Sequence, residues 1–132
     1  MITIRIIVAG SRDFNDVEYM RQKLNALIFA YKSKYSNSMI EIVSGGANGA
    51  DWLGEKYAEY YDYALTRIPA DWNNFGAYAG HIRNRKMLNY AKGAIPVLAA
   101  FWDGKSTGTK NMISISREAK IDVHVFYYKY RE

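Results

Sequence analysis

Ile42-Val43-Ser44-Gly45-Gly46-Ala47-Asn48-Gly49-Ala50-Asp51 is the stretch on which the reading of this chain turns. The apolar run 39–43 reads as a buried strand, and 51–61 reads as the helix that follows it. Between them stand three glycines, a serine and an asparagine. Glycine takes φ > 0 without a steric penalty and lets backbone come close to another chain or a ligand. A helix that starts straight after such a loop offers unpaired N–H groups and the positive end of its dipole, which suits phosphate. A bend that needs glycine for shape alone explains the stretch equally well. Two further loops of the same kind, after Ala9 and after Phe101, favour binding.

Outward from this stretch the chain alternates strand and helix. Residues 2–9 are a nearly unbroken β-branched run, the pattern of a strand covered on both faces. Gly10-Ser11-Arg12-Asp13-Phe14 breaks it. Asn15 or Asp16 can cap a helix whose apolar positions Val17, Met20, Leu24, Leu27, Ile28 and Tyr31 share one face. Residues 32–38 are a polar connection. The second helix is expected to bury Leu53, Tyr57 and Tyr60. Residues 63–68 read as a short third strand ended by Pro69, and 69–76 as irregular chain rich in turn formers. A third helix is expected from about 78 to 91, a fourth strand over 95–101, and a fourth helix ending near 120. Residues 122–127 read as the last strand and 129–132 as a charged tail.

Strands joined by helical crossovers predict a parallel sheet with helices on both faces. The expected architecture is α/β, one domain over residues 1–132, with five parallel strands in the order 3-2-1-4-5. Ligands of such sheets bind beyond the carboxyl ends of the strands, where the strand order reverses. All three glycine- and hydroxyl-rich loops follow strands, so all three are expected on that rim. None matches G-x-x-x-x-G-K-[ST] or G-x-G-x-x-G, which argues against a standard nucleotide triphosphatase or dinucleotide dehydrogenase.

Composition narrows the classes. A chain of 132 residues that is 49% hydrophobic and 23% charged is an ordinary soluble globular chain. The absence of cysteine excludes disulfides and thiolate metal sites and suits a reducing compartment. The opening Met1-Ile2-Thr3-Ile4 reads directly as strand and not as a signal peptide, so a cytoplasmic protein is expected. No run approaches the length of a membrane span. A net charge of +5 favours an anionic partner, but the 18 basic residues are scattered, so a nucleic-acid stripe is not evident. His81 and His124 have no partner at metal or triad spacing, and neither a metal nor a cofactor is expected.

The residues nevertheless carry a resemblance. Gly10-Ser11-Arg12, Ser44-Gly45-Gly46-Ala47-Asn48-Gly49-Ala50-Asp51, Pro69-Ala70-Asp71-Trp72, Arg83-Asn84 with Met87, and Trp102-Asp103-Gly104-Lys105-Ser106-Thr107-Gly108-Thr109 resemble, in that order, the YspA-like group of the SLOG superfamily. That superfamily includes the Lonely-guy phosphoribohydrolases and the Rossmann domain of the DNA-processing protein DprA. The resemblance implies a Rossmann-like fold that binds nucleotides or their derivatives, often within phage–bacterium conflict systems. Arg83 and Met87 match an arginine and a methionine of the Lonely-guy pattern, and Gly108-Thr109 its Gly-Thr pair. Three positions after that threonine the pattern has a catalytic glutamate; here stands Met112. Methionine neither stabilises an oxocarbenium-like charge nor activates water. Hydrolysis would therefore have to rest on Arg83, Asp103 or Asp51, with Asp13 and Asp71 near the same rim.

The expected ligand is thus a nucleotide-like small molecule. Its phosphate is expected on backbone N–H groups of Gly45, Gly46 and Ala47 and of Ser106, Thr107, Gly108 and Thr109. Arg12 and Arg83 are expected to supply charge, ion pairs with Asp13 or Asp51 being their plainer role. Gly10, Ser11, Ser44, Asp51, Asp71, Trp72, Asn84, Trp102 and Asp103 complete the expected site. Asp51 has helix capping or a tie between loops as its alternative, and Trp72 and Trp102 have core packing. Tyr57, Tyr60, Tyr61, Tyr78 and Tyr90 give helices two and three more aromatic surface than one face buries, so a homo-oligomer is expected.

Overall fold

The isoleucine-rich opening run forms the centre of the sheet. β1 (Ile2–Gly10) pairs in parallel with β2 (Ser38–Ser44) on one side and β4 (Ile95–Trp102) on the other, and Ile4 sits between Ile40 and Ile95. β3 (Ala64–Arg67) extends the sheet beyond β2, and β5 (Asp122–Tyr127) beyond β4. The order is β3-β2-β1-β4-β5 with every pair parallel, as the alternation of elements predicts. This computed structural model describes residues 1–128; the charged tail expected at 129–132 lies outside the described residues. No described helix is long and apolar enough to cross a membrane.

Asp16, of the two candidate caps, starts α1 (Val17–Lys34): its carboxylate accepts the Tyr19 N–H at 3.0 Å. α1 and α2 (Ala50–Tyr60) cover one face of the sheet, over Ile4, Ile6, Val8, Ile42 and Phe101. α4 (Ala79–Ala91) and α5 (Thr107–Glu118) cover the other, where Met87, Leu88 and Met112 meet Ile7, Val43 and Leu98. Alternation along β1 divides its side chains between these two cores. Each fully buried Ile or Leu contributes about 1.5–3 kcal/mol relative to exposure. The result is a three-layer, Rossmann-like α/β fold.

Three local expectations change. Val17 is 59% exposed, because α1 turns its buried stripe from Met20 onward. Tyr60 is 79% exposed, since α2 packs through Tyr57, as expected, and through Ala50, Gly54 and Ala58 in place of Tyr60. A Cβ at Gly54 would stand 2.7 Å from Val8 Cγ1, so this helix lies close on the strand and Tyr60 points roughly 100° away from the seam. Within 69–76, expected to be irregular, stands the short α3 (Trp72–Phe75), and a 3-10 turn (Gly76–Tyr78) follows it. Asp71 nucleates α3 by accepting the Asn74 N–H at 3.2 Å, and Gly76 at φ 53° ends it.

The aromatic surplus is also smaller than expected. Tyr57 is buried with its hydroxyl on Asn25 Oδ1 at 2.6 Å, and the half-buried Tyr90 donates to Glu41. Glu41 is itself held by Arg5 and Thr66, which closes a polar network inside the α4 face. His124 packs on Tyr31 and Phe126 and is structural.

Candidate functional site

Because the strands are parallel, the loops after Gly10, Ser44 and Trp102 leave the same edge of the sheet. Their packing there explains two of the glycines. A Cβ on Gly10 would lie 2.2 Å from Phe101 O and 2.7 Å from Ala50 Cβ. A Cβ on Gly49, at φ 75°, would lie 2.4 Å from both Ser11 O and Arg12 O. The first N–H of α2, at Ala50, donates to Ser11 O at 3.2 Å. Gly10 and Gly49 thus seat the first loop on the start of α2.

The loop after β2 is largely closed on itself. Gly46 donates its N–H to Ser44 Oγ at 3.0 Å, and Ala47 donates to Asp51 Oδ2 at 3.2 Å. Two of the three N–H groups expected to face a phosphate are therefore taken. Ser44 is fully buried and donates to Glu55 at 2.6 Å. Glu55 in turn receives Arg67 through two bonds of 3.0 and 2.7 Å. Burial alone would raise the Glu55 carboxyl, but Arg67 and Ser44 outweigh it and hold it low. Ser44 is a brace beneath the loop, not a lining residue.

α5 begins differently. Ser106 is its N-cap residue, yet its hydroxyl makes no capping bond and lies 3.3 Å from Thr109 Oγ1. The N–H groups of Thr107, Gly108 and Thr109 fall in the first turn, where no residue i−4 exists inside the helix to accept them. Nothing lies within 4 Å of a Cβ built on Gly108. The loop before it is rigidly held: Asp103 Oδ1 accepts the Lys105 and Ser106 N–H groups, both at 2.9 Å. Trp102 Nε1 donates to Ser106 O at 3.0 Å while its ring packs on Tyr127. Burial would raise the Asp103 carboxyl, but those two N–H groups keep it below its usual range. Trp102 and Asp103 shape this loop, although both were expected on the ligand.

Between these loops and α4 opens a cleft of about 490 Å³. Gly10, Ser11, Arg12, Ala47, Asp51, Trp72, Arg83, Asn84, Asp103, Ser106, Thr107, Gly108 and Thr109 all reach its wall. A smaller hollow of about 360 Å³ adjoins it, bounded by Gly45, Gly46 and Pro69 and sharing Arg12, Ala47, Trp72 and Arg83. Among the expected residues, Ser44, Asp71 and Trp102 line neither.

Arg83 links the two halves of the rim. It forms no ion pair with Asp51; its Nη1 donates to Gly45 O at 2.6 Å and its Nε to Asn84 Oδ1 at 3.0 Å. Asn84 is buried and donates to Gly108 O at 3.1 Å and to Asn111 Oδ1 at 3.0 Å. One continuous chain of bonds thus ties the loop after β2 to the start of α5. Arg12 lies across the mouth, its guanidinium 5.8 Å from the centroid of the half-exposed Trp72 ring. Asp51 is 5% exposed, and burial pushes its carboxyl up to about 6 against the opposing pull of the Ala47 N–H and the Arg83 charge.

The floor is apolar: Met87 and Met112 are both buried and both reach the cleft. Met112, which stands at the sequence position of the glutamate in the Lonely-guy pattern, therefore lies in the cleft itself. His81 and Asp13 lie on the wall, as do Ala9, Ala77 and Gly80, which the sequence reading does not single out. Gly80, Arg83, Asn84 and Met87 form a helical stripe of spacing 3, 1, 3, and that periodicity is the signal that could have found Gly80. Among the described residues no three metal-ligating side chains come together.

No curated protein and no solved structure matches this chain. A family model, that of the YspA, cpYpsA-related SLOG proteins, matches residues 4–75. The match runs from β1 through the loop after β2 to α3 and includes Arg12, Asp51 and Trp72; Arg83 and the start of α5 lie beyond it. It spans more than half of the 132 residues, and the chain belongs to the YspA, cpYpsA-related SLOG family.

Proposed function

We propose that the cleft binds a nucleotide or nucleotide-derived small molecule, of ADP-ribose or phosphorylated-nucleoside type, and that the protein senses or sequesters it. The family's place in phage–bacterium conflict gives such a role a setting. The observation that carries the reading is the uncapped start of α5. Its first-turn N–H groups and dipole favour an anion, open space lies above Gly108, and two guanidiniums share the cleft. Arginine binds phosphate through paired, charge-assisted hydrogen bonds. The apolar floor and the exposed face of Trp72 suit a flat ring. A volume of about 490 Å³ lies within the usual range of small-molecule sites.

A second reading, cleavage of an N-glycosidic bond, rests on Asp51. With Met112 on the floor and Asp103 occupied by its own loop, Asp51 is the buried carboxylate left to assist a leaving base. Binding without cleavage is favoured, because Met112 stands at the position where the Lonely-guy pattern has its catalytic glutamate.

Mass spectrometry of small molecules released from the purified chain, followed by calorimetry with the identified compound, tests the proposal. A phosphate-bearing nucleoside derivative is expected, recovered intact after incubation. Release of free base at enzymatic rates would replace the binding reading by the hydrolytic one. Absence of any nucleotide-type ligand, together with no binding of one at millimolar concentration, would end both.

A further inference from the structure

Asp51 is the one feature of the cleft that an anion site does not need. The wall near it is cationic: Arg83 from α4 and Arg12 from the first loop both act on its carboxyl electrostatically. A phosphate in contact with Asp51 would meet a like charge in a partly desolvated place, which is unfavourable. Yet the carboxylate is 5% exposed and only half used. Oδ2 accepts the Ala47 N–H at 3.2 Å, whereas Oδ1 accepts no hydrogen bond among the described residues. Oδ1 is open to the cleft and not sealed, since among the described residues the fully buried side-chain polar atom without a partner is Ser116 Oγ, so a donor entering the cleft can reach it. The other carboxylates on the wall are also held through one oxygen, Asp103 by its loop N–H groups and Asp13 by the Tyr128 hydroxyl at 2.8 Å, but neither is buried as Asp51 is.

The partner missing from Oδ1 must be a donor, and its charge can be argued. A cation would be drawn to Asp51 but repelled by the two guanidiniums beside it. An anion would be favoured by the guanidiniums but repelled by Asp51. A neutral hydroxyl donor meets neither objection. We propose that Asp51 receives the vicinal hydroxyls of a furanose, so that the cleft selects ribose-bearing nucleotides over those lacking these hydroxyls. The inference rests on the nucleotide reading above and orients the ligand within it. The phosphate lies at the start of α5, the sugar edge at Asp51 and the base towards Trp72.

Calorimetry on the full chain with AMP, GMP, CMP and UMP and with their 2′,3′-dideoxy counterparts tests this. The ribonucleotide that binds best should bind about 10- to 150-fold more tightly than its dideoxy form, the range expected for losing one hydrogen bond to a charged group. In Asp51→Asn, which keeps an acceptor for the Ala47 N–H, the two forms should bind within about threefold of each other, at the dideoxy level. Equal affinity of the unaltered chain for both forms would overturn the assignment of Asp51 and leave the nucleotide reading standing. Tighter binding of the dideoxy form would do the same. Failure of all eight compounds and of ADP-ribose at millimolar concentration would overturn the nucleotide reading and this inference with it. The ligand series on the unaltered chain decides the matter even if the variant does not fold.

Discussion

Replacing Asp51 by asparagine is expected to make the free protein more stable, and only above mildly acidic pH. The carboxyl titrates near 6 in the fold and near 3.8 when exposed, because burial raises it more than the Ala47 N–H, Arg83 and Arg12 lower it, with Glu55 adding to the rise. A raised acid binds its proton more tightly folded than unfolded. Stability from this group is therefore greatest below about pH 4 and falls as pH rises towards 6. At about 1.36 kcal/mol per pH unit, the ionised carboxylate destabilises the fold at pH 7 by roughly 3 kcal/mol. Asparagine resembles the protonated acid in shape and stays neutral, so about 3 kcal/mol is the upper limit of the gain. For a domain of 132 residues, with an unfolding entropy near 2.1 cal/mol/K per residue, that corresponds to roughly 10 °C in Tm. Urea unfolding of parent and variant between pH 4 and pH 8 is the assay. The difference should be near zero at pH 4, grow through pH 6 and level off. A variant that is less stable at pH 7, or a difference that does not vary with pH, would refute the account of Asp51 as a charge kept at a cost to stability for the sake of a ligand.

Other perturbations separate packing from binding. Gly10→Ala should unfold the chain or cost several kcal/mol in denaturant melts, because its Cβ would strike the Phe101 carbonyl, which is backbone and has little room to yield. Trp72→Ala should leave Tm within about 2 °C, since half of the ring is exposed, yet weaken nucleotide binding by roughly 5- to 150-fold if a base stacks there. A fall in Tm with unchanged affinity would make Trp72 a packing residue. Self-association is expected through Trp52 and Tyr60, both more than half exposed on α2, and light scattering that shows a monomer at micromolar concentration would remove it.

Strands and sheet order were legible because buried parallel strands must be apolar on both faces, as in residues 2–9 and 95–101. The buried face of α2 was legible in part: Tyr57 is buried and Leu53 packs against the core, as expected. The helix also packs through Ala50, Gly54 and Ala58, small residues that carry no hydrophobic signal, while Tyr60 carries a strong one and faces out. α3 was hidden because its four residues are too few for periodicity and depend on one capping carboxylate, Asp71. Convergence of the three loops followed from strand–helix order alone. How each loop uses its own polar groups did not, since the bonds of Gly46 to Ser44 and of Ala47 to Asp51 are fixed by backbone geometry that composition does not report. Asp103 and Trp102 look like ligand residues in a glycine- and hydroxyl-rich segment. Their bonds to the N–H and C=O of Ser106 make them its scaffold.

The central claim is that an anion is held where α5 begins, with Arg83 beside it. Calorimetry of the parent chain with the best-binding ribonucleoside monophosphate and with its unphosphorylated nucleoside tests it most directly. The account predicts that the nucleoside binds at least 10-fold more weakly, and that Arg83→Ala, losing a charged hydrogen bond of roughly 1.5–3 kcal/mol, narrows that gap. Equal affinity for nucleotide and nucleoside, or a gap that Arg83→Ala leaves unchanged, would contradict it.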